Sequence, residues 1–195
     1  MKNFLKDPSK EHLVAAVDLG SNSFRMVIAR VIQSPSGTQL QPIDTLRESV
    51  RLAAGLNDDK KLDQKSIARG LAAIHRFGDR IKNFDPKQVR AVATNTLRVA
   101  RNADQFIQEA QKLLGFPIEV IAGREEARLI YIGASHDAPA CDGKRFVLDI
   151  GGGIAPMVPA GPQMFLSDMS VPGMRIMKSE GYLCSVLDIQ RLGLR

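Results

Sequence analysis

Two apolar runs that each lead through aspartate into glycine constrain this chain more than any other feature. They are Ala15-Ala16-Val17-Asp18-Leu19-Gly20-Ser21-Asn22-Ser23 and Arg145-Phe146-Val147-Leu148-Asp149-Ile150-Gly151-Gly152-Gly153. Each run has the composition of a buried strand, the glycines let backbone N–H groups face an anion, and the aspartate can hold a divalent cation beside it. One such loop alone is weak grounds for a site. Two of them predict a phosphate clamp built between two halves of an α/β fold.

The intervening pattern agrees. Leu13 to Leu19 and Phe24 to Ile32 read as strands flanking the first loop, and Ser34-Pro35-Ser36-Gly37 turns the chain into a third strand at Gln39 to Leu46. Asp63 to Ile81 sets Ile67, Leu71, Ile74 and Ile81 on one helical face with Asp63 as N-cap. A strand at Val89 to Ala93, a helix at Asn102 to Leu114 closed by Gly115 and Pro117, and a strand at Ile118 to Ile121 follow. A helix then begins at Gly123-Arg124-Glu125-Glu126, and Phe146 to Ile150 feeds the second loop. Three strands followed by alternating helices and strands is the order of an actin-like nucleotide- or phosphate-binding half.

At 195 residues, 44% hydrophobic and 25% charged, the chain is globular material long enough for one sizeable domain or one domain and the start of another. Aromatics at 5% argue against a base-stacking surface, and nucleic acid is not an expected partner. Seven basic side chains between Arg76 and Arg101 could attract a polyanion, although a solvated helix face accounts for most of them. Cys141 and Cys184 have neither metal-ligand spacing nor a disulfide framework, the charged N-terminus lacks the apolar core of a secretory signal, and no run is long enough for a membrane span. A cytoplasmic location is the expectation.

Asp18 and Asp149 fall at the carboxyl ends of their strands, where α/β sheets place ligands, and carboxylates there suit Mg²⁺. Glu125 and Glu126 both lie in the first turn of a helix, where the helix dipole alone would favour a carboxylate. Either could also act as a general base toward water, and pattern does not choose between them. Arg98, beyond the strand that ends at Ala93, is a natural clamp for phosphate oxygens or an ordinary loop arginine. His12, His75 and His136 form no ligand cluster in the sequence.

Together these segments resemble the exopolyphosphatase and guanosine pentaphosphate phosphatase family, of the actin-like (ribonuclease H-like) ATPase and sugar-kinase superfamily fold. The residues that carry the resemblance are Ala16 to Phe24, Val50-Arg51-Leu52-Ala53-Ala54-Gly55-Leu56, Thr94-Asn95-Thr96-Leu97-Arg98, Ile121 to Ile130, and Asp149 to Gly153, so it covers about 12–153. The resemblance implies Mg²⁺-dependent removal of terminal orthophosphate from inorganic polyphosphate, or of the 5′ phosphate from guanosine pentaphosphate, with a homodimer among the assemblies of full-length members. By family pattern Glu126 would be the general base, Asp18 and Asp149 metal ligands, and Gly20, Ser21, Asn22, Arg98, Gly151 and Gly152 the phosphate-binding residues. The domain reading is an extension at 1–11, a first actin-like domain at 12–135, the start of a second at 136–153, and a non-matching tail at 154–195.

The departure begins at Ile154-Ala155-Pro156, where the family continues with Ser-Thr-Glu and a strand. Proline there is incompatible with a central strand. The tail also holds five of the seven methionines, and its only regularity is a weak helical pattern near Arg175 to Leu187. It reads as a foreign segment of the kind a shifted reading frame or an aberrant gene model produces. Two alternatives to an active hydrolase follow: an inactive phosphate-binding fragment, and an actin-like ATPase or kinase, against which the Gly123 to Ile130 motif argues.

Overall fold

The computed structural model of the chain describes residues 12–35, 37–136, 145–150, 175–179 and 182–188. It divides into two compact units, Met1–Ile121 and Ala122–Arg195.

The first unit is built on a five-stranded sheet in the order β3-β2-β1-β4-β5. Its strands are β1 (Leu13–Leu19), β2 (Ser23–Ser34), β3 (Gly37–Ser49), β4 (Val89–Ala93) and β5 (Ile118–Val120). The first three pair antiparallel, and β4 and β5 join β1 in parallel. Period-two alternation explains β1: Ala15, Val17 and Leu19 are buried while Ala16 between them is exposed. β2 continues the same face through Phe24, Met26 and Ile28 until an irregularity at Ile28/Ala29 shifts the register and buries Ala29 as well.

Helices α1 (Gln64–Ile81) and α3 (Ala103–Leu114) pack against each other and contribute to the same hydrophobic core as the sheet. Asp63 has extended backbone and accepts a hydrogen bond from Ser66 N–H at 2.6 Å, which caps α1 as the sequence predicts. That bond, with help from the Ser66 hydroxyl and Arg69, holds the Asp63 carboxyl below its ordinary pKa. The buried face of α1 differs from the predicted one. Ile74 and Ile81 are in the core, but Ile67 and Leu71 are only partly buried, and Gly70, Ala73, Phe77 and Gly78 take the central positions. Small residues are needed there because α3 comes close: a Cβ on Gly70 would lie 2.9 Å from the Phe106 ring, and one on Gly78 would meet the Leu113 carbonyl oxygen. Phe106 in turn meets Phe24 with ring centroids 6.4 Å apart and planes tilted by 59°. Burying a side chain of this size contributes about 2–3 kcal/mol, so Phe24, Phe77 and Phe106 dominate this core. Gly115 stops α3 in the left-handed conformation at φ 82°, donating to Gln111 O at 2.9 Å.

Four of the seven basic residues between Arg76 and Arg101 are engaged inside the unit. Arg76 pairs with Glu48 and Arg80 with Asp44, both at 2.8 Å, pinning α1 to β3, while Arg90 reaches Glu119 at 3.4 Å and Arg98 bonds backbone. The Glu48 hydrogen bond raises the Arg76 pKa further above its usual value.

The second unit contains α4 (Gly123–His136) and a three-stranded antiparallel sheet of β6 (Arg145–Ile150), β7 (Arg175–Ser179) and β8 (Tyr182–Asp188), in the order β6-β8-β7. The weak helical pattern over Arg175 to Leu187 is therefore overturned: both segments are strands, and β8 pairs with β6 from Leu183 to Asp188. Short apolar runs carry no decisive local period, and β8 is held between the preceding β7 and the distant β6. In the first unit the strand that follows the loop pairs with β1, whereas here the later β8 is the neighbour of β6 and β7 lies outside it. Among the described residues no helix is long and apolar enough to cross a membrane.

Candidate active site

Because β1 and β4 run parallel with Leu19 beside Ala93, both strands leave the sheet at the same end. Four backbone segments meet there. Thr94 N–H donates to Leu19 O at 3.3 Å, joining the loop after β4 to the end of β1. Ile121 N–H donates to Ala93 O at 3.1 Å, bringing in the chain that leaves β5. The fourth segment is Val50 to Gly55: Val50 and Arg51 N–H both donate to Asn22 O, at 3.0 and 2.8 Å, and Ala53 N–H donates to Ser21 O at 3.0 Å. The carbonyls of the first loop are thus tied down from below. A loop whose carbonyls are held in this way has a fixed backbone on which to present donors to a ligand.

Asp18 is the penultimate residue of β1 and half-buried. Its Oδ1 is a buried oxygen outside the hydrogen bonds of the described residues, while the residue has other polar contacts. Ser21 is buried at 8% exposure and Asn22 is exposed. The donor set at this end of the sheet is all oxygen and amide, which suits a hard cation. No three His, Cys, Asp or Glu side chains cluster among the described residues. Asp18, whose Oδ1 is buried, is the kind of hard oxygen donor that Mg²⁺ takes one or two of, completing its shell with water and phosphate oxygens.

The loop after β4 is partly helical, where the sequence reading has a loop: Asn95–Val99 forms the short α2, with Thr96 and Leu97 buried beneath it. This puts Arg98 one helical turn above Thr94, its N–H donating to Thr94 O at 3.1 Å. The exposed guanidinium donates through Nη1 to Ile121 O at 2.7 Å and makes a longer contact to Asn95 Oδ1 at 3.4 Å.

In the second unit, α4 carries both candidate glutamates in its first turn. Arg128 grips Glu125 with a two-pronged ion pair, Nε to Oε2 and Nη2 to Oε1, each at 2.7 Å. The bond raises the Arg128 pKa above its usual value. Glu126 is half-buried and follows Ala122 by one turn, its N–H donating to Ala122 O at 3.0 Å. Asp149 takes the penultimate position of β6, opposite Cys184 of β8, the place Asp18 holds in β1. Gly151 and Gly152 lie outside the described residues, as do Ile154 and Pro156.

The structure therefore gathers Asp18, Gly20, Ser21, Asn22 and Arg98 at one end of one sheet, and carries Glu126 and Asp149 in the second unit. Sequence reasoning assigned no role to Arg51, Ser66 or Arg69. Arg69 Nε donates to Val50 O at 3.0 Å and Nη2 to Ser66 Oγ at 2.8 Å, locking the Val50 to Gly55 segment onto α1. One available signal was Gly55, where a Cβ would collide with the Ser66 hydroxyl.

A sheet of three antiparallel and two parallel strands, with a tethered glycine loop and a basic loop at its carboxyl end, places the chain among the actin-like α/β proteins. Solved structures agree. The Aquifex aeolicus Ppx-GppA enzyme is 26% identical with a TM-score of 0.62, covering 74% of this chain and 46% of its own. An exopolyphosphatase-like protein is 31% identical with a TM-score of 0.57 over the same shares. An exopolyphosphatase from Cytophaga hutchinsonii, at 22% identity and a TM-score of 0.60, covers 67% of this chain and 41% of its own and shares the fold. The sequence model of the Ppx/GppA phosphatase family matches residues 27–161, and the chain belongs to that family. That match runs past Gly153, into residues outside the described ones. The chain spans less than half the length of these solved relatives.

Proposed function

We propose that this chain carries the phosphate-binding half of an exopolyphosphatase, which releases terminal orthophosphate from inorganic polyphosphate with Mg²⁺. The observation that carries the reading is the tethered Gly20-Ser21-Asn22 loop beside Arg98 at the carboxyl end of the parallel pair β1 and β4. Loop amides and hydroxyls, with the Arg98 guanidinium, would bind the oxygens of the terminal phosphoryl group. Asp18 and Asp149 would hold Mg²⁺, which when bound neutralises charge on the phosphate oxygens. Glu126 would accept a proton from water as the water oxygen bonds to phosphorus, and the bridging P–O bond would break to leave a chain shorter by one phosphate. The similarity to the exopolyphosphatase-like protein supports polyphosphate. The alternative substrate within the family is guanosine pentaphosphate.

A second reading is favoured by one fact: the chain carries Ile154 and Pro156 where a hydroxyl and a carboxylate are expected. Such a chain would bind phosphate without turning it over, since this chemistry depends on positioning. Orthophosphate release from long-chain polyphosphate with Mg²⁺, with Glu126→Gln as control, separates the two. Release that vanishes in the variant supports the hydrolase; binding with no release supports the fragment; neither would sink both.

A further inference from the structure

The segment that tethers the first loop has an unusual residue at its centre. Arg51 adopts φ 47° and, with Lys60 at φ 58°, is one of two non-glycine residues with positive φ among the described residues. Lys60 closes an ordinary reverse turn, donating to Asn57 O at 2.9 Å. Arg51 instead sits between two buried neighbours, Val50 at 1% and Leu52 at 0% exposure, and shares with Val50 the carbonyl of Asn22. Two successive amides can converge on that oxygen while both flanking side chains stay in the core because the backbone turns left-handed at position 51. Glycine is the residue that adopts this conformation without steric cost. A long cation stands there instead, exposed, and its guanidinium makes no hydrogen bond or ion pair to any described residue. Backbone strain of this kind clusters at functional sites and persists where the surrounding structure holds it in place, as the Asn22 carbonyl does here.

We infer that Arg51 is a substrate-recognition residue that binds a phosphate of a linear polyphosphate beyond the one held by the first loop. The inference rests on the polyphosphate reading above. Arg51 is bonded through its own amide to Asn22 O, so the backbone that carries its side chain is fixed relative to Ser21 and Asn22. A single orthophosphate has no second phosphate for it to reach, and a chain of linked phosphates does.

The test compares Arg51→Gly with wild type and with Lys87→Ala in the whole chain. Glycine removes the guanidinium while keeping the backbone conformation, so the fold is retained. Lys87 carries the same charge at the opposite end of β4, away from the loop. Calorimetric binding of medium-chain polyphosphate and of inorganic phosphate is measured across a salt series. Arg51→Gly is expected to weaken polyphosphate binding about tenfold, as for a lost charge-assisted hydrogen bond, and to flatten its salt dependence by about one counterion. Phosphate binding and the thermal midpoint should not fall. A merely structural role would lower the midpoint and leave the salt slope alone. Wild-type polyphosphate binding that Arg51→Gly and Lys87→Ala both leave intact would overturn this inference alone; a wild-type chain that binds no polyphosphate would overturn the preceding reading with it.

Discussion

The guanidinium of Arg98 donates to the backbone carbonyl of Ile121 at 2.7 Å, so the arginine that resembles a phosphate clamp also ties α2 to the last residue of the first unit. Ile121 is itself bonded to Ala93, which makes Arg98 the outer of two links between the end of β4 and the chain leaving β5. A lysine supplies charge without the planar fork that can serve a carbonyl and an anion together. Arg98→Lys is expected to retain part of the phosphate affinity, whereas Arg98→Ala loses both it and about 1 kcal/mol of stability. Urea denaturation beside phosphate titration reads the two effects separately; an alanine variant with unchanged phosphate affinity would remove Arg98 from the site.

Gly78 gives a prediction about packing alone. In most helix interiors alanine is better than glycine by ~1 kcal/mol, but a methyl group here would press on the Leu113 backbone oxygen. Backbone cannot rotate away as a side chain can, so Gly78→Ala should be destabilising by about 1–3 kcal/mol in spite of its better propensity. Gly133, in α4 with no described residue within 4 Å of a Cβ, is the matched control, and Gly133→Ala should preserve or increase helicity. Urea midpoints followed by circular dichroism would expose an error if Gly78→Ala were neutral.

Asp63 links a sequence signal to pH. Its carboxyl is held below the ordinary value chiefly by the Ser66 amide. Because the folded pKa is the lower one, the stabilisation is complete above the unfolded carboxylate pKa and is lost as pH falls through the folded value. Asp63→Asn keeps an acceptor at the cap but nothing that titrates. The variant's stability should therefore change less than wild type between neutral pH and the region below the ordinary carboxylate range. Parallel acid-unfolding curves would contradict the assignment of this cap to a charged group.

Local rules were enough wherever a residue acts on its own neighbours. The Asp63 cap, the Gly115 stop and the alternation of Ala15, Val17 and Leu19 are each written within a few positions of sequence, and each is in the structure. The alternation of helices and strands after β3 was read from the sequence, whereas the parallel pairing of β4 with β1 is the structure's addition. What escaped were relationships set by packing. Gly70 and Gly78 look like weak points of a helix until α3 is laid across them, and Ile67 and Leu71 look like core until those glycines take the centre. Strands β7 and β8 depend on pairing that no local period encodes. Among the candidate site residues, Asp18, Ser21 and Asn22 stand out in the sequence because glycine marks the loop. Arg51 does not, since a left-handed arginine leaves no trace in composition.

Of the adjacent glutamates, which sequence pattern alone could not tell apart, Glu125 has a defined partner in Arg128, and Glu126 has polar contacts of its own. Glu125 spends both carboxylate oxygens on the fork of Arg128, an exposed pairing one turn along the helix of the sort that steadies a helix modestly. A carboxylate with both oxygens turned to that fork is poorly placed to orient a water as well. If Glu126 is the base, replacing it with glutamine should cut orthophosphate release by about 10²- to 10⁴-fold, the usual contribution of general-base catalysis. Glu125→Gln should leave release within about tenfold of wild type, since a slackened helix start misplaces the site without removing its proton acceptor. Initial rates from long-chain polyphosphate for both variants decide the matter. Equal losses would mean that the pair acts as a unit, and a larger loss at Glu125 would assign the base to the residue that Arg128 restrains.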